Sequence, residues 1–150
     1  MSTPDERERE LLQAALKVMD KAYVLWGFKV GAATLAEDGK IYEGCNVESW
    51  ISGLGTCAER SAIDHAVLHG NRKIKKIAIV IEDKNVEATR PCGVCLQYIK
   101  DFSEDDVKVI MAKAKGGRIL TESIETKTIE ELLPFSYEMK QKALDSYLQS

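Results

Sequence analysis

Three cysteines and one glutamate form the pattern in this chain with the clearest chemistry. Glu59 lies two residues after Cys57, while Cys92 and Cys95 belong to the run Pro91-Cys92-Gly93-Val94-Cys95. A zinc ion held by three protein ligands keeps a fourth position open for water, which distinguishes a catalytic site from a closed structural one. A neighbouring carboxylate that is not a ligand can carry the proton that such a water loses. The spacing therefore predicts a catalytic zinc site with Glu59 beside it.

These cysteines are predicted to lie at the starts of two helices. Proline favours the first turn of a helix, so Pro91 predicts that Cys92 and Cys95 share one face of a first turn. Cys57 stands at another predicted helix start, where unpaired N–H groups and the helix dipole favour a thiolate. Three thiolates around Zn²⁺ leave a net charge of about −1, so a nearby cation is expected. Arg60 is the candidate, and an ordinary surface position for Arg60 is the equal alternative.

Two other interpretations of these residues remain open in the sequence. The run Thr56-Cys57-Ala58-Glu59 also matches a capping box, in which Glu59 would only satisfy the helix start. Cys45 is a possible fourth ligand, which would close the site into a structural Cys₄ centre. A free cysteine in an apolar strand is more typically a buried small hydrophobe, so we favour that interpretation of Cys45.

The two histidines have the four-residue spacing of paired ligands on a helix. His65 lies eight residues beyond Cys57, which is about 12 Å along a helix axis. It cannot join the same metal ion, so both His65 and His69 are interpreted as packing or surface residues.

The bulk properties describe one soluble domain spanning residues 1–150. A net charge of −3 and a pI near 5.5 argue against a nucleic-acid partner, although Lys73, Lys75 and Lys76 form a small basic cluster. The polar N-terminus is unlike a secretion signal, and no apolar run approaches the length of a membrane span. Four cysteines without an export signal predict a cytoplasmic location, where thiols bind metal or pack.

The periodicity of apolar residues predicts an α/β fold. An apolar stripe from Leu11 to Tyr23 has helical spacing, and a β-hairpin should follow it. Predicted strands span residues 28–35, 40–46, 76–82, 107–112 and 118–122. Further predicted helices span residues 57–70, 92–102, 128–133 and 137–148. A hairpin followed by alternating strands and helices implies a mixed sheet with helices on both faces, a three-layer αβα sandwich.

Over almost its whole length the chain resembles the small cytidine deaminases. Six ordered segments carry the resemblance, and they are far more specific together than the zinc residues alone. They are Phe28-Lys29-Val30-Gly31-Ala32-Ala33, Gly39-Lys40-Ile41-Tyr42, Gly44-Cys45-Asn46-Val47-Glu48, Cys57-Ala58-Glu59-Arg60, Pro91-Cys92-Gly93-Val94-Cys95 with Gln97, and Leu132-Leu133-Pro134. A cysteine as first ligand is typical of the homotetrameric branch of that family, whose zinc is held by three cysteines.

The resemblance implies a five-stranded mixed sheet with helices on both faces and one zinc ion per subunit. It implies that Cys57, Cys92 and Cys95 hold the zinc. Zinc-activated water would attack C4 of cytosine, and Glu59 would move protons to the ring nitrogen and the departing amine. Arg60 is similar to the family arginine that donates to ligand thiolates. The implied reaction converts cytidine or deoxycytidine to the uridine product and releases ammonia, a step of pyrimidine salvage.

The resemblance also implies residues that contact substrate. Asn46 and Glu48 would hold the ribose 3′-hydroxyl, and Phe28 would pack near the base. The backbone of Ala58 would contact the base edge. Tyr137 stands where the family has an aromatic residue that reaches the base bound by a neighbouring subunit of the homotetramer.

The chain departs from the family pattern around the implied substrate site. Residues 23–26 and 49–53 replace common loop sequences, Arg90 replaces a usual serine, and Leu96 a usual arginine. These departures leave the zinc residues intact, so a modified nucleoside such as blasticidin S is the alternative substrate. A non-catalytic, zinc-stabilised interaction protein is the alternative from another class. Trp26 and Trp50, within the altered loops, are candidate subunit contacts or simply packed aromatics.

Overall fold

The computed structural model describes residues 3–84, 90–138 and 148–149. The chain begins with α1 (Glu6–Met19), followed by an antiparallel hairpin of β1 (Val30–Ala36) and β2 (Ile41–Cys45). Asp5 caps α1 by accepting a hydrogen bond from the backbone N–H of Glu8. The hairpin lies where the sequence predicts it, whereas the helix ends at Met19, before Tyr23 of the predicted apolar stripe.

The rest of the fold alternates helices and strands. After β2 come α2 (Ala58–Leu68), β3 (Ile74–Glu82), α3 (Gly93–Asp101) and β4 (Ser103–Lys115). The chain then forms β5 (Arg118–Ile119), a 3₁₀ turn (Thr121–Ser123), β6 (Glu125–Thr128) and α4 (Ile129–Leu132). The predicted closing helix over residues 137–148 lies mostly outside the described residues.

The sheet is mixed, with strand order β2-β1-β3-β4 and both β5 and β6 paired to β4. Among the strands of the described residues, β3 and β4 are the one parallel pair, because α3 crosses between them. Because β5 and β6 both pair with β4, the described sheet has six strands, whereas the resemblance implies five. Ser123 lies between β5 and β6, the two short strands that pair with β4. Its hydroxyl accepts from the Lys113 N–H at 2.8 Å and donates to the Leu120 carbonyl at 2.6 Å. These bonds replace strand pairing at the break between β5 and β6.

Helices cover both faces of the sheet, which confirms the predicted three-layer fold. Successive side chains of β3 point to opposite faces of the sheet, so they belong to two separate hydrophobic cores. Ile77 and Ile79 pack in one core with α2, α3 and α4, whereas Ala78 and Val80 pack in the other with α1. No helix within the described ranges is long and apolar enough to cross a membrane.

The position of α2 depends on a glycine in β2. A Cβ built on Gly44 would lie 2.3 Å from the backbone nitrogen of Ala62 in α2, so no larger residue fits at this crossing. Helix α2 is also joined to α3, because the Tyr98 hydroxyl donates to Asp64 Oδ1 at 2.5 Å. Together these contacts bring the N-terminal ends of α2 and α3 close to each other.

Part of the small basic cluster is neutralised within the fold. Lys76 Nζ lies 2.9 Å from Glu8 and 3.3 Å from Asp5 at the start of α1. The carboxylate of Glu8 is itself buried. Lys76 therefore pairs β3 with α1 instead of presenting a free cation to solvent.

Candidate active site

Two of the three cysteines occupy the N-cap positions of helices. Cys57 caps α2 with φ −81° and ψ 155°, and Cys92 caps α3 with φ −71° and ψ 166°. Neither side chain bonds to its own helix as a cap, so both sulfurs are free for another partner. Cys95 lies in the first turn of α3. The predicted placement of thiols at two helix starts is thus confirmed, and it lowers the cost of negative charge on sulfur.

The three sulfurs form one group, the sulfur cluster of Cys57, Cys92 and Cys95. Their Sγ atoms all lie within 4.8 Å of one another. A tetrahedral zinc with bonds of about 2.3 Å places its sulfur ligands about 3.8 Å apart, so the cluster fits one zinc ion after a small inward movement. Among the described residues, no further histidine, cysteine or carboxylate joins this group. Cys45 is outside it, which leaves the closed Cys₄ interpretation without a fourth ligand.

The electrostatics of the cluster favour negative charge on the sulfur of Cys57. The pKa of Cys57 is lowered to about 5, chiefly by a hydrogen bond from the Cys95 thiol and then by Arg60. That same hydrogen bond, together with burial, raises the pKa of Cys95. Arg60 Nη2 donates to Cys57 Sγ at 3.6 Å, and this bond raises the pKa of the guanidinium. Arg60 therefore lies against the sulfur cluster instead of occupying an ordinary surface position.

Glu59 lies beside the cluster with only 6% of its surface exposed. Burial is the main cause that raises the pKa of its carboxyl group, and negative charge on Cys57 acts in the same direction. The capping-box interpretation is wrong, because α2 begins at Ala58 with Cys57 as its N-cap, so Glu59 occupies the second helical position instead of the third. Its buried carboxyl is thus available for proton transfer at the cluster.

The sulfur cluster and Glu59 line a cavity of about 540 Å³. Its floor is formed by Ala58, Glu59 and Cys95, all of them buried. Its mouth is formed by two loops, residues 25–27 and 48–55, whose exposed side chains include Trp26 and Ile51. Between floor and mouth the wall is made by Phe28, Val30, Asn46 and Glu48. The cavity therefore leads from an exposed apolar mouth to the buried carboxyl.

Glu48 holds the first mouth loop in place. Its Oε2 accepts from the backbone N–H groups of Leu25 and Trp26, and its Oε1 accepts from Gly27 at 3.0 Å. These backbone bonds lower the pKa of the Glu48 carboxyl. Gly27 makes this approach possible, since a Cβ there would lie 2.6 Å from Glu48 Oε1. A carboxylate accepts about four hydrogen bonds, so roughly one acceptor position remains for a ligand.

Asn46 orients the wall of the cavity in a similar way. Its Oδ1 accepts from the Val30 N–H at 2.8 Å, and its Nδ2 donates to the Phe28 carbonyl at 2.9 Å. An asparagine amide has two N–H donors, so one donor of Asn46 remains. The amide therefore fixes the backbone on both sides of Lys29 and presents one hydrogen-bond donor beside Phe28.

Tyr137 is the predicted substrate-binding residue that lies away from the cavity. Its side chain is 70% exposed, and its backbone carbonyl accepts from Gln97 Nε2 on α3 at 3.0 Å. It is not among the residues that line the cavity. Within a single chain Tyr137 does not meet the other predicted site residues.

The predicted site set omitted several residues that line the cavity, notably Trp26, Gly27, Ile51 and Arg90. Arg90 directly precedes Pro91 and pairs with Glu125 at 2.9 Å. The sequence feature that could have identified them is their location in or beside segments that depart from the family pattern. Their convergence on one cavity depends on contacts between distant segments, which spacing along the chain does not reveal.

The histidines form a separate cluster far along α2. The rings of His65 and His69 are 4.9 Å apart, and the ring of Tyr42 lies 5.2 Å and 5.1 Å from them. Both Nδ1 atoms contact backbone carbonyl oxygens at 2.9 Å. This agrees with the predicted packing role.

Comparison with known proteins gives a consistent result. Residues 5–111 match the family described as the cytidine and deoxycytidylate deaminase zinc-binding region. The chain is 38% identical over 129 residues to cytidine deaminase of Sporosarcina psychrophila, covering 85% of this chain and 89% of that protein. It is 35% identical over 128 residues to cytidine deaminase of Halalkalibacterium halodurans, covering 85% and 91%.

A solved structure gives the same relationship for the fold. The crystal structure of cytidine deaminase from Burkholderia pseudomallei superimposes with a TM-score of 0.75 at 33% sequence identity, covering 86% of this chain and 98% of that one. The sulfur cluster fits one zinc ion, in agreement with the zinc-binding region that the family model describes. The chain therefore belongs to the zinc-binding cytidine and deoxycytidylate deaminase family and is a zinc-dependent deaminase.

Proposed function

We propose that the protein catalyses the hydrolytic deamination of cytidine and deoxycytidine, forming uridine or deoxyuridine and ammonia in pyrimidine salvage. The observation that carries this proposal is the buried Glu59 carboxyl beside the three sulfurs, at the floor of one cavity. The relatives at 35% and 38% identity are both cytidine deaminases, which supports a cytosine nucleoside as substrate.

In this proposal Cys57, Cys92 and Cys95 hold the zinc, which supplies Lewis acidity and lowers the pKa of water. Glu59 accepts a proton from the attacking water and passes it to the ring nitrogen N3 of cytosine. It then takes the second proton of that water from the oxygen now bonded to C4 and transfers it to the amino group, which leaves as ammonia while the oxygen remains on C4 as the carbonyl. Burial raises the pKa of Glu59, which makes its carboxylate a stronger proton acceptor than that of an exposed glutamate.

Arg60 compensates the negative charge of the ligand thiolates. Three thiolates and one Zn²⁺ carry a net charge of about −1, which would weaken the metal as an acid. The guanidinium of Arg60 donates to Cys57 Sγ at 3.6 Å and withdraws charge from that ligand. The positive ends of α2 and α3 act in the same direction.

The wall of the cavity holds the nucleoside. The ring of Phe28 packs against the base, and the backbone of Ala58, which is fully buried on the floor, contacts the base edge. The remaining donor of Asn46 and the remaining acceptor position of Glu48 bind the ribose 3′-hydroxyl. Because both side chains already hold the backbone, they are fixed before the substrate arrives.

We further propose that residues 1–150 form one domain that assembles as a cytoplasmic homotetramer. Two exposed residues support the assembly: the proposed ligand Cys92 is exposed, and Tyr137 is exposed outside the cavity. In the tetramer Tyr137 reaches the base bound by a neighbouring subunit. The formal charge of −3 supports a free nucleoside instead of a nucleic acid as partner.

Ammonia release from purified, zinc-loaded protein tests the reaction. The substrates are cytidine, deoxycytidine, cytosine, adenosine and blasticidin S, with Glu59→Gln as the matched variant. We expect release from cytidine and deoxycytidine, and a loss of about 10²- to 10⁴-fold in Glu59→Gln with zinc content unchanged.

Three results would contradict this proposal. Release from blasticidin S alone would replace the substrate, and no release from any compound would favour the non-catalytic zinc protein. A Glu59→Gln variant that unfolds more easily while deaminating at the wild-type rate would give this carboxyl a purely structural role.

A further inference from the structure

The two histidines of the chain lie together at the C-terminal end of α2. His65 belongs to the last turn of this helix and His69 is its C-cap, and their ring centroids are 4.9 Å apart. Residues four positions apart are neighbours on a helix surface. His65 is half-buried and His69 is exposed. The histidine pair of His65 and His69 therefore places two imidazoles side by side, at the opposite end of α2 from Cys57.

Hydrogen bonds to the backbone leave the same nitrogen available on both rings. Nδ1 of His65 lies 2.9 Å from the carbonyl oxygen of Glu43, and Nδ1 of His69 lies 2.9 Å from the carbonyl oxygen of His65. A carbonyl oxygen only accepts, so each Nδ1 carries the hydrogen, and Nε2 of a neutral ring then carries the lone pair. Among the hydrogen bonds of the described residues, none involves either Nε2. Both rings thus keep a free electron-pair donor.

This hydrogen-bond pattern is the one that metal-binding histidines show. A histidine ligand almost always donates its other ring N–H to a carboxylate, a backbone carbonyl or water, which fixes the tautomer and the orientation of the ring. In the histidine pair both rings already have a backbone carbonyl as that partner. The outer partners of two nitrogen ligands are therefore in place.

The surroundings of the histidine pair hold the rings and favour a cation. The ring of Tyr42 lies 5.2 Å from that of His65 and 5.1 Å from that of His69. Tyr42 is itself buried, and its hydroxyl donates to Asp38 Oδ2 at 2.6 Å. The C-terminal end of a helix carries partial negative charge, which attracts positive ions. Both imidazoles are thus supported by a fixed ring, at the end of α2 where a cation is stabilised.

We propose that His65 and His69 form a second metal site, which binds one divalent transition-metal ion such as Ni²⁺ or Cu²⁺ through their two Nε2 atoms. Imidazole suits these ions, whereas Mg²⁺ and Ca²⁺ prefer oxygen ligands. The pair supplies two protein ligands, so water completes the coordination and binding is weaker than at the sulfur cluster. His65 lies eight residues beyond Cys57, about 12 Å along the axis of α2, so the two metal ions are separate.

Titration of the zinc-loaded protein with Ni²⁺ tests the second site. Calorimetry gives the Kd for Ni²⁺, and metal analysis counts the nickel and zinc that remain bound. The variants are His65→Gln and His69→Gln. Glu43→Gln is the matched control, because Glu43 is an exposed residue of β2 whose backbone carbonyl contacts His65. This control removes a carboxylate and keeps both imidazoles with their hydrogen-bond partners.

Nitrogen-15 NMR of the wild-type protein gives a second measurement that does not depend on any variant. The chain has two histidines, so two sets of ring signals are expected. At mildly alkaline pH both rings should show the tautomer with hydrogen on Nδ1, and paramagnetic Ni²⁺ should broaden both sets together. Broadening of one ring alone, or a hydrogen on Nε2 of either ring, would overturn the proposal.

We expect the wild-type protein to bind one nickel per chain and to retain its zinc. Loss of an outer partner of a metal ligand typically weakens metal binding about 10- to 100-fold, and loss of the ligand itself should cost at least as much. The Kd for Ni²⁺ should therefore rise by about tenfold or more in each histidine variant. It should stay within about twofold of the wild-type value in Glu43→Gln, since the ligands are unchanged.

Three outcomes of the titration would contradict the second site. Equal affinity for Ni²⁺ in wild type and in both histidine variants would remove the imidazoles as ligands. Release of one zinc for each nickel bound would place the nickel at the sulfur cluster. A loss in Glu43→Gln as large as in the histidine variants would overturn a site whose protein ligands are the two imidazoles.

Discussion

The floor and the mouth of the cavity are built in different ways. The floor consists of side chains on the first turns of α2 and α3, and its Glu59 and Cys95 are buried. The mouth consists of two loops whose exposed side chains include Trp26 and Trp50. Helix starts position the floor, whereas the loop of residues 25–27 is held by the carboxylate of Glu48 and the loop of residues 48–55 is closed by two backbone hydrogen bonds between Val47 and Thr56. We propose that the floor carries the chemistry and that the mouth contributes to the choice of substrate.

Both regions stabilise negative charge, but with different partners. At the floor, thiolate charge is favoured by two helix N-termini and by Arg60 at 3.6 Å from Cys57 Sγ. At the mouth, the carboxylate of Glu48 is stabilised by three consecutive backbone N–H groups. The charge at the floor attracts a metal cation. The charge at the mouth organises the backbone of the loop.

Replacing a ligand at the floor should have the largest effect. We expect Cys95→Ser to lower bound zinc from one per chain to well below one and to abolish cytidine turnover, because a hydroxyl is a poor zinc ligand compared with a thiolate. Metal analysis of the purified protein and the ammonia assay measure the two effects.

Cys45→Ser is the matched control for this experiment. Cys45 is a free, half-buried cysteine in β2 outside the sulfur cluster, so its replacement should leave one zinc per chain and normal turnover. Loss of zinc in Cys45→Ser, or full zinc and activity in Cys95→Ser, would contradict the assignment of the cluster.

The floor was predictable because its determinants are local. Pro91 and the three-residue spacing of Cys92 and Cys95 define one helix start. Cys57 and Glu59 mark another, so each half of the site is encoded within a few residues. The meeting of the two helix starts follows from the α/β fold and from the family resemblance. The sequence favours catalysis over capping for Glu59, because the cysteine pair follows downstream, and the position of Cys57 as N-cap excludes the capping box.

The mouth was less predictable because its contacts join segments far apart in the chain. Glu48 binds the backbone of residues 25–27, and backbone donors leave no mark in the side-chain pattern. The positions of Trp26 and Trp50 in the sequence do not indicate whether their side chains are packed or exposed. The separation of β5 from β6 was equally hard to predict. It depends on the hydroxyl of Ser123, which takes the place of a backbone hydrogen bond to Lys113.

A methyl group at the mouth should affect binding without disturbing the floor. In Gly27→Ala the new Cβ would lie 2.6 Å from Glu48 Oε1, so the carboxylate must move away from the backbone that it holds. We expect KM for cytidine to rise by about tenfold, which corresponds to about 1.4 kcal/mol, with zinc content unchanged and a smaller change in kcat. Steady-state kinetics and metal analysis provide the measurement.

Gly93→Ala is the same substitution on the side of the sulfur cluster. A Cβ on Gly93 meets nothing within 4 Å, and Gly93 is the first residue of α3. Alanine is the better helix former, so we expect the free energy of unfolding to rise by up to about 1 kcal/mol with KM unchanged. Equal kinetic effects of the two variants would remove the distinction between floor and mouth.

The smallest effect should come from the contact that joins the two ligand-bearing helices. The Tyr98 hydroxyl on α3 donates to Asp64 Oδ1 on α2 at 2.5 Å, and this bond is the main cause that raises the pKa of Tyr98 to about 12. Tyr98→Phe should lower the free energy of unfolding by about 0.5–1 kcal/mol at neutral pH, since the bond is partly exposed. The rate of zinc release to a chelator should rise by about twofold to fivefold, because a loss of about 0.5–1 kcal/mol corresponds to a change of that size in a rate constant.

The pH dependence separates this bond from a simple loss of packing. Because the folded pKa of Tyr98 lies above its usual value of 10.0, the bond contributes its full stability below pH 10 and loses it as the pH rises through about 12. The difference in unfolding free energy between wild type and Tyr98→Phe should therefore be constant near neutral pH and shrink above pH 10. A difference that persists unchanged at alkaline pH would show that the ring, and not the hydroxyl, connects α2 to α3. In that case packing would join the two helices of the floor, whereas hydrogen bonds hold the loop at the mouth.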